Sequence, residues 1–531
     1  MSVNTETAAG VVWGEEVVEA DYAGHPGRTY ARSPSSLVEL LATVGPWDGR
    51  DFLVQGDVRI GHRDFLRAIP AAAEMLAARG VSRGDRVLLH CYNRPEFALA
   101  TCAAWWLGAV PVYANRWWST DEARHAIAVA EPALVLSDAT DFFDDGVRVE
   151  SIEQLAAAWT RNSTFSPVEG VALDDPALIL FTSGSSGSPK AVVLSSRSVI
   201  TNQQNLLVRS RRLPHRLDPA GPQPVALVCT PLFHIGGVSN ILTNLLIGGR
   251  MVMTVGRFDA GEILALIEAE RVQAWGGVPT MAIRLLEHPD FDAHDLSSLR
   301  SFPLGGAPLP PALLGRMIAK LPQLERRGLA NTWGMTETGG FMTVAGNADL
   351  VERPGTVGRP YPVVEIRITD PDERGVGEVL VRAPTVMLGY LGIEDGTVDD
   401  AGWLHTGDLG HLDDGYLFLD GRSKDIVIRG GENIACAHIE KTILGHPSVI
   451  EAAVFGVPHE DLGEELAAAV THRVGEAITA DELVAHCRKM LGYFEIPTHW
   501  QIDDRPLPTL AGEKLNKKAI KAAFVESVLE G

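Results

Sequence analysis

A stretch of hydroxyls, glycines and one lysine, FTSGSSGSPKAVVLS (Phe181 to Ser195), has the residue types most suited to chemistry. Gly184 and Gly187 would let the backbone approach a ligand closely, and Lys190 adds a positive charge. The hydroxyl donors are Thr182, Ser183, Ser185, Ser186 and Ser188. This composition predicts a loop that holds a polyphosphate, although a loop of this kind taken alone is also common as a surface turn.

The stretch differs from the phosphate-binding pattern GxxxxGK[ST]. Pro189 stands directly before Lys190, and no Ser or Thr follows the lysine. Apolar runs lie on both sides, ALILF (Ala177 to Phe181) before the loop and AVVL after it. Both runs are typical of buried strands, so the loop is predicted to join two strands rather than a strand and a helix.

Five further segments carry chemically useful residues. WGMTE contains an aromatic ring, a hydroxyl and a carboxylate, GWLHTGDLG places Asp408 between glycines, and PLFHIGG carries His234. The last two segments are rich in cations. They are GRSKDIVIRGGENI and LPTLAGEKLNKK, and the second of them places Lys514 in a loop. In chain order the five are 231–237, 333–337, 402–410, 421–434 and 507–518.

Helical and strand-like patterns alternate through the first two thirds of the chain. An Ala-rich helix is predicted from Phe65 to Arg79. Short apolar strands are predicted at 86–90, 133–137, 226–229 and 250–254. This alternation is typical of α/β proteins with parallel sheets layered by helices. After about Gly355 the pattern changes to short strands with Gly/Asp turns, which indicates a small antiparallel region.

The length of 531 residues exceeds what one hydrophobic core supports. We predict a large N-terminal domain of helix-layered sheets (1–421), with the antiparallel region at about 355–421. A small C-terminal domain (422–531) is predicted to follow a hinge near Lys424.

The composition restricts the class of partner. Hydrophobic residues make up 46% of the chain and charged residues 21%, which fits a globular enzyme. A formal net charge of −22 argues against nucleic acid or an anionic membrane surface as partner. An anionic small molecule would need basic residues that are gathered locally. Two such groups are Arg422, Lys424 and Arg429, and Lys514, Lys517 and Lys518.

Cysteine usage and hydropathy predict a cytoplasmic protein. The five cysteines form neither a CxxC pair nor a zinc spacing, and no signal peptide is recognised at the N-terminus. The stretch from Phe97 to Ala114 contains no charged residue and approaches the length of a membrane span. Because Gly108 and Pro111 interrupt it, a buried helix followed by a buried strand is predicted instead.

Taken in order, these segments closely resemble the adenylate-forming (ANL) superfamily, and within it the acyl-CoA synthetases of the fatty-acid/aryl-CoA ligase type. GVSRGDRV (Gly80 to Val87) and NRPEF (Asn93 to Phe97) agree with this resemblance. It implies a two-step reaction in which a carboxylic acid and ATP give acyl-AMP and pyrophosphate, and coenzyme A then displaces AMP. It also implies Mg²⁺ and a small, mobile α+β C-terminal domain.

The resemblance also implies the nucleotide site. The loop from Thr182 to Lys190 would hold the β- and γ-phosphates, Thr336 would contact the α-phosphate, and Glu337 would bind Mg²⁺. Trp333, where the family usually has tyrosine, would stack on adenine. Asp408 would accept hydrogen bonds from the ribose, assisted by Arg422. The remaining nucleotide-binding residues would be Gly305, Gly306, Ala307 and Gly334.

The residues that act on the acyl group follow from the same resemblance. Lys514 would bridge the carboxylate and the phosphate during adenylation, and Lys424 would be the hinge. The Arg429-Gly430-Gly431 turn would line the channel for coenzyme A, and His234 would separate that channel from the acyl pocket. The pocket itself would include His234, Val238, Trp275 and Gly277.

Each assignment has a purely structural alternative. Asp408 could close a turn, Trp333 and His234 could be interior residues, and Glu337 could be an ion-pair partner. Lys514 could be a solvated surface charge.

The sequence departs from the family pattern at four positions. Ala191 replaces glycine after the loop lysine, and Cys436 and His438 replace proline and an acid. Glu513 stands where glycine usually precedes the catalytic lysine. A carboxylate beside Lys514 would repel phosphate, by a few kcal/mol as an order of magnitude. We therefore consider an enzyme that adenylates poorly and mainly transfers a supplied acyl-adenylate to coenzyme A.

Several functions stay open at this point. The leading prediction is a complete acyl-CoA ligase. An enzyme that loads a carrier protein and a non-catalytic acyl-adenylate binder are also compatible with these residues. The sequence leaves room for a homodimer, and it does not identify the acid.

Overall fold

The computed structural model describes residues 12–144, 146–182, 189–305, 309, 311–325, 328–423, 425–429, 432–459, 461–473, 475–510 and 513–529. Within these residues the strands are β1 (Val17–Tyr22), β2 (His25–Tyr30), β3 (Asp51–Gln55), β4 (Val58–Gly61), β5 (Arg86–His90), β6 (Val110–Tyr113), β7 (Leu134–Ser137), β8 (Val149–Ser151), β9 (Pro176–Thr182), β10 (Lys190–Ser195), β11 (Val225–Val228), β12 (Arg250–Met253), β13 (Ala274–Trp275), β14 (Phe302–Gly305), β15 (Leu329–Met335), β16 (Gly340–Gly346), β17 (Thr356–Pro360), β18 (Glu365–Thr369), β19 (Gly377–Arg382), β20 (Gly389–Tyr390), β21 (Leu404–Asp413), β22 (Tyr416–Arg422), β23 (Ile426–Arg429), β24 (Glu432–Ala435), β25 (Val449–His459), β26 (Gly463–His472) and β27 (His499–Asp503). The α-helices are α1 (Leu37–Ala42), α2 (His62–Ala77), α3 (Pro95–Trp106), α4 (Thr120–Ala130), α5 (Ser196–Ser210), α6 (Ile235–Leu246), α7 (Ala260–Ala269), α8 (Pro279–Leu286), α9 (Pro311–Lys320), α10 (Asn347–Glu352), α11 (Cys436–Ile443), α12 (Ala480–Cys487) and α13 (Lys517–Phe524).

Two mainly parallel sheets form the first part of the molecule. One has the order β20-β10-β9-β6-β5-β7-β8, and the other has the order β13-β11-β12-β3-β4. The strands predicted at 86–90, 133–137, 226–229 and 250–254 are β5, β7, β11 and β12, and the predicted Ala-rich helix is α2. Because helices cover these strands, their side chains are almost all buried. The α/β prediction is confirmed.

An eight-stranded, mostly antiparallel sheet follows, in the order β14-β15-β16-β17-β22-β21-β19-β18. Its later strands fall where the sequence predicts an antiparallel region. The sheet is larger than predicted, because β14, β15 and β16 join it from residues before Gly355. Strand β14 ends at Gly305, and β15 leads into the WGMTE segment. The sheet therefore brings these segments together with strands from later in the chain.

The C-terminal part of the chain has its own sheet, ordered β24-β23-β26-β25, with β27 beside β26. Helices α11 and α12 cover one face of this sheet through residues such as Ile439 and Leu483. A separate cluster, which includes Phe524 of α13, covers the other face. This mixture of sheet and helix is the predicted small α+β domain.

The uncharged stretch from Phe97 to Ala114 folds as predicted. It forms most of α3, then turns at Gly108 (φ +66°) into β6. Helix α3 is buried along nearly its whole length. In the described part of the chain, no helix is long and apolar enough to cross a membrane.

Candidate active site

The predicted phosphate loop is the connection of an antiparallel hairpin. Strand β9 ends at Thr182 and β10 begins at Lys190, and these two residues pair across the hairpin. Residues Ser183 to Ser188, which include the predicted Gly184, Ser185, Ser186 and Gly187, lie outside the described residues. The prediction that two strands flank the loop is confirmed.

Lys190 lies beside two residues that the sequence analysis missed. Its Nζ is 3.0 Å from Asp395 Oδ2 and 4.3 Å from the centre of the Tyr390 ring. Strand β20, which carries Tyr390, pairs with β10 at Val192. Because this pairing joins segments almost two hundred residues apart, no local pattern marks Tyr390 or Asp395 as site residues.

The WGMTE segment runs from β15 into the tight turn that leads to β16. Gly334 is required here, since a Cβ atom would lie 2.1 Å from the carbonyl oxygen of Gly340. In the turn, the Thr336 carbonyl accepts a hydrogen bond from the Gly339 N–H at 2.9 Å. The turn carries Glu337 to Tyr390, which lies on the strand beside β10.

Tyr390 links this turn to the hairpin. Its hydroxyl donates to Glu337 Oε1 at 2.9 Å, while its ring lies against Lys190. Burial and then the Glu337 charge raise the pKa of Tyr390, so the phenol stays protonated and donates. One side chain therefore contacts both the predicted phosphate lysine and the predicted magnesium ligand.

Trp333, Asp408 and Arg422 converge on one another. The Trp333 indole N–H donates to Asp408 Oδ2 at 2.8 Å, and Arg422 Nε donates to Asp408 Oδ1 at 2.7 Å. Asp408 lies within β21, directly opposite Arg422 on β22, so it does not close a turn. Trp333 and Asp408 are 6% and 5% exposed. Trp333 therefore packs in the core and also contacts Asp408, which is predicted to bind the ribose.

Gly277 and Gly305 lie next to this group. The Gly305 N–H donates to the Gly277 carbonyl at 3.2 Å, and Gly305 pairs with Thr332, the neighbour of Trp333. A Cβ atom at Gly305 would lie 2.5 Å from Thr332 Oγ1, so only glycine fits. Gly306 and Ala307 lie outside the described residues.

The predicted acyl-pocket residues divide into two sets. His234 is half-buried at the start of α6, with its ring 4.7 Å from the Phe233 ring. Val238 lies one turn further along α6 and is buried. Trp275 is fully buried in the core and donates to Cys229 Sγ at 3.1 Å. The Trp275 side chain thus exposes no surface to a ligand in this structure.

Lys514 faces the nucleotide residues from the C-terminal part of the chain. Its side chain is exposed to solvent, but enough protein surrounds it that desolvation, followed by the Arg422 charge, lowers its pKa. The negative charges of Asp408 and Glu337 partly offset this lowering of the Lys514 pKa. Lys514 is therefore close enough to three predicted site residues to interact with their charges.

Glu513 lies beside Lys514 but has a different partner. It has φ +63°, and its carboxylate forms a short ion pair with Arg284 of α8. Arg284 also approaches Glu451 Oε1 at 3.6 Å. The sequence analysis singled out Glu513, but it missed Arg284, because a helical arginine without a motif resembles any solvated charge.

Two of the basic residues expected to be gathered for an anionic ligand have partners within the protein. Arg429 Nη2 donates to Glu465 at 3.0 Å, and Arg429 Nη1 donates to the Phe494 carbonyl at 3.1 Å. Lys517 pairs with Glu440 at 2.8 Å. These cations are neutralised within the C-terminal part, because its buried carboxylates need partners. Lys424, Gly430 and Gly431 lie outside the described residues.

The donor set fits a magnesium nucleotide rather than a metal held by protein alone. Among the described residues no group of three or more His, Cys, Asp or Glu side chains could hold a metal ion. Mg²⁺ typically takes one or two carboxylates together with substrate phosphates, and Glu337 beside the phosphate hairpin meets that requirement. Trp333, Asp408 and Arg422 thus form one hydrogen-bonded group, and Lys190 and Glu337 form a second group around Tyr390.

Comparisons with known proteins agree with this site. The AMP-binding enzyme family matches residues 42–391, and the AMP-binding enzyme C-terminal domain matches residues 438–510. A feruloyl-CoA synthase of Amycolatopsis is 33% identical over 88% of this chain and 95% of that protein. A 2-succinylbenzoate–CoA ligase of Bacillus cereus is 31% identical over 88% of this chain and 94% of that protein.

A solved structure has the same architecture. The o-succinylbenzoate CoA synthetase of Bacillus subtilis, in complex with its acyl-adenylate intermediate, gives a TM-score of 0.77 at 28% identity and covers 91% of this chain and 97% of that chain. The predicted resemblance to adenylate-forming acyl-CoA synthetases is thereby confirmed. The chain belongs to the AMP-binding enzyme family.

Proposed function

We propose that this protein is an acyl-CoA ligase that converts a hydrophobic carboxylic acid into its coenzyme A thioester through an acyl-AMP intermediate. One observation supports this most strongly. Trp333 and Arg422 both donate to Asp408, and the charges of Arg422, Asp408 and Glu337 influence the pKa of Lys514, which comes from the C-terminal domain. A cation placed there can neutralise the charge that develops when a carboxylate attacks a phosphate.

In the first step an oxygen of the acid attacks the α-phosphorus of ATP, and the bond to pyrophosphate breaks. Trp333 and Asp408 hold the nucleoside, and Lys190 binds the β- and γ-phosphates with the hairpin loop. Lys514 draws the carboxylate and the α-phosphate together, which supplies both orientation and charge. Mg²⁺, held by Glu337, neutralises phosphate charge when it is bound.

In the second step the thiol of coenzyme A attacks the acyl carbon, and AMP leaves. Lys514 is not needed for this step, because the acid is already activated. We propose that the C-terminal domain turns about the hinge near Lys424 and brings the Arg429-Gly430-Gly431 turn to the channel for the thiol. Since the Arg429 side chain is bound to Glu465, the backbone of the turn would line the channel.

The ion pair of Glu513 bears on the hypothesis of impaired adenylation. That hypothesis requires the Glu513 carboxylate to repel phosphate beside Lys514. In the structure Arg284 neutralises this carboxylate. A complete ligase is therefore favoured over an enzyme restricted to the second step.

A non-catalytic acyl-adenylate binder and a carrier-loading enzyme receive less support. A non-catalytic binder has no need for Lys514, Glu337 and Asp408 together in one cleft. Loading of a carrier protein uses the same first step, so the identity of the thiol acceptor separates it from a coenzyme A ligase. Cytoplasmic location and a homodimer stay predictions, which cell fractionation and light scattering would test.

The acid is proposed to be aliphatic, aryl or polycyclic, since the predicted pocket residues His234, Val238 and Gly277 combine a ring, a small apolar side chain and a glycine. The test is a panel of ferulic acid, 2-succinylbenzoic acid, and medium- and long-chain fatty acids, incubated with ATP, Mg²⁺ and coenzyme A. We expect acyl-CoA and AMP in equal amounts with at least one acid. Formation of ADP, or of no thioester with any member of a broad panel, would contradict the proposal.

A further inference from the structure

Arg284 connects two carboxylates of the C-terminal domain to the N-terminal domain. It lies in the last turn of α8 and forms a short ion pair with Glu513, which is adjacent to Lys514. Its second contact is Glu451 Oε1 at 3.6 Å. These three residues, named here the Arg284 cluster, join the two domains at the residue beside the catalytic lysine.

The backbone at Glu513 indicates that the ion pair fixes a demanding conformation. Glu513 has φ +63°, in the left-handed region that side-chain-bearing residues rarely adopt. Such a conformation persists where surrounding contacts determine it. The Leu510 N–H also donates to the Lys514 carbonyl at 2.6 Å, so the loop is closed from within. An anchor at Glu513 thus sets the direction in which Lys514 leaves the backbone.

Glu451 makes the cluster more than a surface ion pair. It is 4% exposed, and its Oε2 accepts hydrogen bonds from the Leu507 N–H at 2.7 Å and from the Thr471 hydroxyl at 3.3 Å. Glu451 thereby holds the segment that follows β27 and leads to Lys514. When the domain turns away, Glu451 and Glu513 both lose the Arg284 cation. The cluster is therefore complete only when Lys514 is in the nucleotide site.

We propose that Arg284 is a positioning residue for adenylation, which holds Lys514 in the nucleotide site through Glu513 and Glu451. The inference rests on the proposed function and deepens it. Glu513 replaces the conformational freedom of glycine with a specific electrostatic anchor. The anchor acts in the first half-reaction only, because the second half-reaction takes place after it has separated.

The test compares both half-reactions in Arg284→Gln, Glu513→Gln and the double variant. ATP–pyrophosphate exchange reports adenylation, and thioester formation from supplied acyl-AMP reports the second step, with the best acid of the panel. We expect kcat of exchange to fall about tenfold in each single variant, as for a partly buried ion pair. The KM for ATP and the second step should change less than twofold. The double variant should resemble the single ones, and Arg284→Lys should recover part of the loss.

Glu287→Gln is the matched control. Glu287 follows α8 and pairs with Arg473 of the C-terminal domain at 3.2 Å and with Arg316 of α9 at 2.8 Å. The substitution therefore removes another ion pair between the domains without affecting the neighbour of Lys514. It should leave the exchange rate unchanged. Equal losses in Glu287→Gln and Arg284→Gln, equal losses in both half-reactions, or additive effects in the double variant would overturn the proposal.

A second measurement separates this proposal from the proposed function. Hydrogen exchange of the backbone from Leu507 to Leu515, without ligand, should be faster in Arg284→Gln than in the parent protein or in Glu287→Gln. This result is expected even if no acid of the panel is activated, in which case the proposed function alone fails. Unchanged exchange at these amides would overturn the positioning role.

Discussion

At the scale of single residues, Asp408 is the group whose surroundings are most completely defined. Trp333 and Arg422 donate to its two oxygens, and the side chain is almost entirely buried. A carboxylate held in this way can accept further hydrogen bonds from ribose hydroxyls without rearrangement.

Asp408→Asn tests this assignment. The amide would turn an N–H toward either Trp333 or Arg422, which are themselves donors, and it would weaken the acceptor offered to ribose. We expect the Kd for AMP, measured by calorimetry, to rise about 10- to 100-fold. The matched control is Asp413→Asn on the same strand, where the side chain is 64% exposed and pairs with Arg353. A similar rise in both variants would contradict the role of Asp408.

Lys514→Gln should separate the two half-reactions. Removing a preorganised cation from the transition state typically costs about 10²- to 10³-fold in rate, so pyrophosphate exchange should fall by that factor. Thioester formation from supplied acyl-AMP should be retained. Loss of both activities together would mean that Lys514 supports the fold rather than the first step.

The pKa of Lys514 predicts a pH dependence. Desolvation and Arg422 lower this pKa, so the ammonium loses its proton at a lower pH than an ordinary lysine. The charged form is the one that neutralises phosphate, so kcat/KM for ATP in the exchange reaction should fall as the pH rises through this pKa. In Lys514→Arg the guanidinium stays charged, and the alkaline decrease should disappear. An unchanged decrease would assign it to another group.

At the scale of elements, the site depends on how strands from distant segments meet. Strand β20 pairs with β10, which places Tyr390 between Lys190 and Glu337. The short strand β20 thereby connects the β9–β10 hairpin to the turn that carries Glu337, the predicted magnesium ligand.

Tyr390→Phe should weaken the use of Mg²⁺. The variant keeps the ring against Lys190 but loses the hydrogen bond to Glu337, which typically contributes about 0.5–1.5 kcal/mol, or a factor of about 2 to 10. We expect the Mg²⁺ concentration for half-maximal exchange to rise by that factor, with little change in the second step. Tyr390→Leu, which also removes the ring, should have a larger effect and raise the KM for ATP. If Tyr390→Phe leaves the Mg²⁺ dependence unchanged, Tyr390 does not act through Glu337.

The elements that the sequence predicted correctly are those with a local signal. The strands at 86–90 and 226–229 contain short apolar runs, and so do β9 and β10, which flank the predicted loop. Arg284, Tyr390 and Asp395 were missed, because their roles come from partners far away in the sequence. Glu513 combines a local signal in the sequence with a partner that the sequence does not reveal. Its departure from the family pattern was visible, but the cation that neutralises it lies on α8.

At the scale of the whole molecule, we propose that the contacts between the two domains belong to the arrangement that adenylates. Arg284 and Glu287 of the N-terminal domain form ion pairs with Glu513 and Arg473 of the C-terminal domain, and the charges of Arg422, Asp408 and Glu337 influence the pKa of Lys514. Under the proposed function, the second step would take place after the C-terminal domain has turned.

Lys424→Pro tests whether the hinge predicted near Lys424 permits that change. Proline fixes φ and removes a donor, so it restricts rotation at this residue. We expect pyrophosphate exchange to stay within about threefold of the parent while thioester formation falls at least about tenfold, if rotation here limits the second step. Lys424→Ala is the control, and it should retain both activities. Loss of exchange with retention of thioester formation would place the hinge elsewhere.

The most direct test of the account is to isolate the intermediate. The protein is incubated with ATP, Mg²⁺ and the best acid without coenzyme A, and the products are measured by mass spectrometry before and after coenzyme A is added. We predict acyl-AMP at about one equivalent per protein chain and its conversion to acyl-CoA and AMP when coenzyme A arrives. Lys514→Gln should form the intermediate about 10²- to 10³-fold more slowly but should convert supplied acyl-AMP. An acyl phosphate with ADP, or acyl-CoA formed while no acyl-AMP can be detected at any time, would contradict the account.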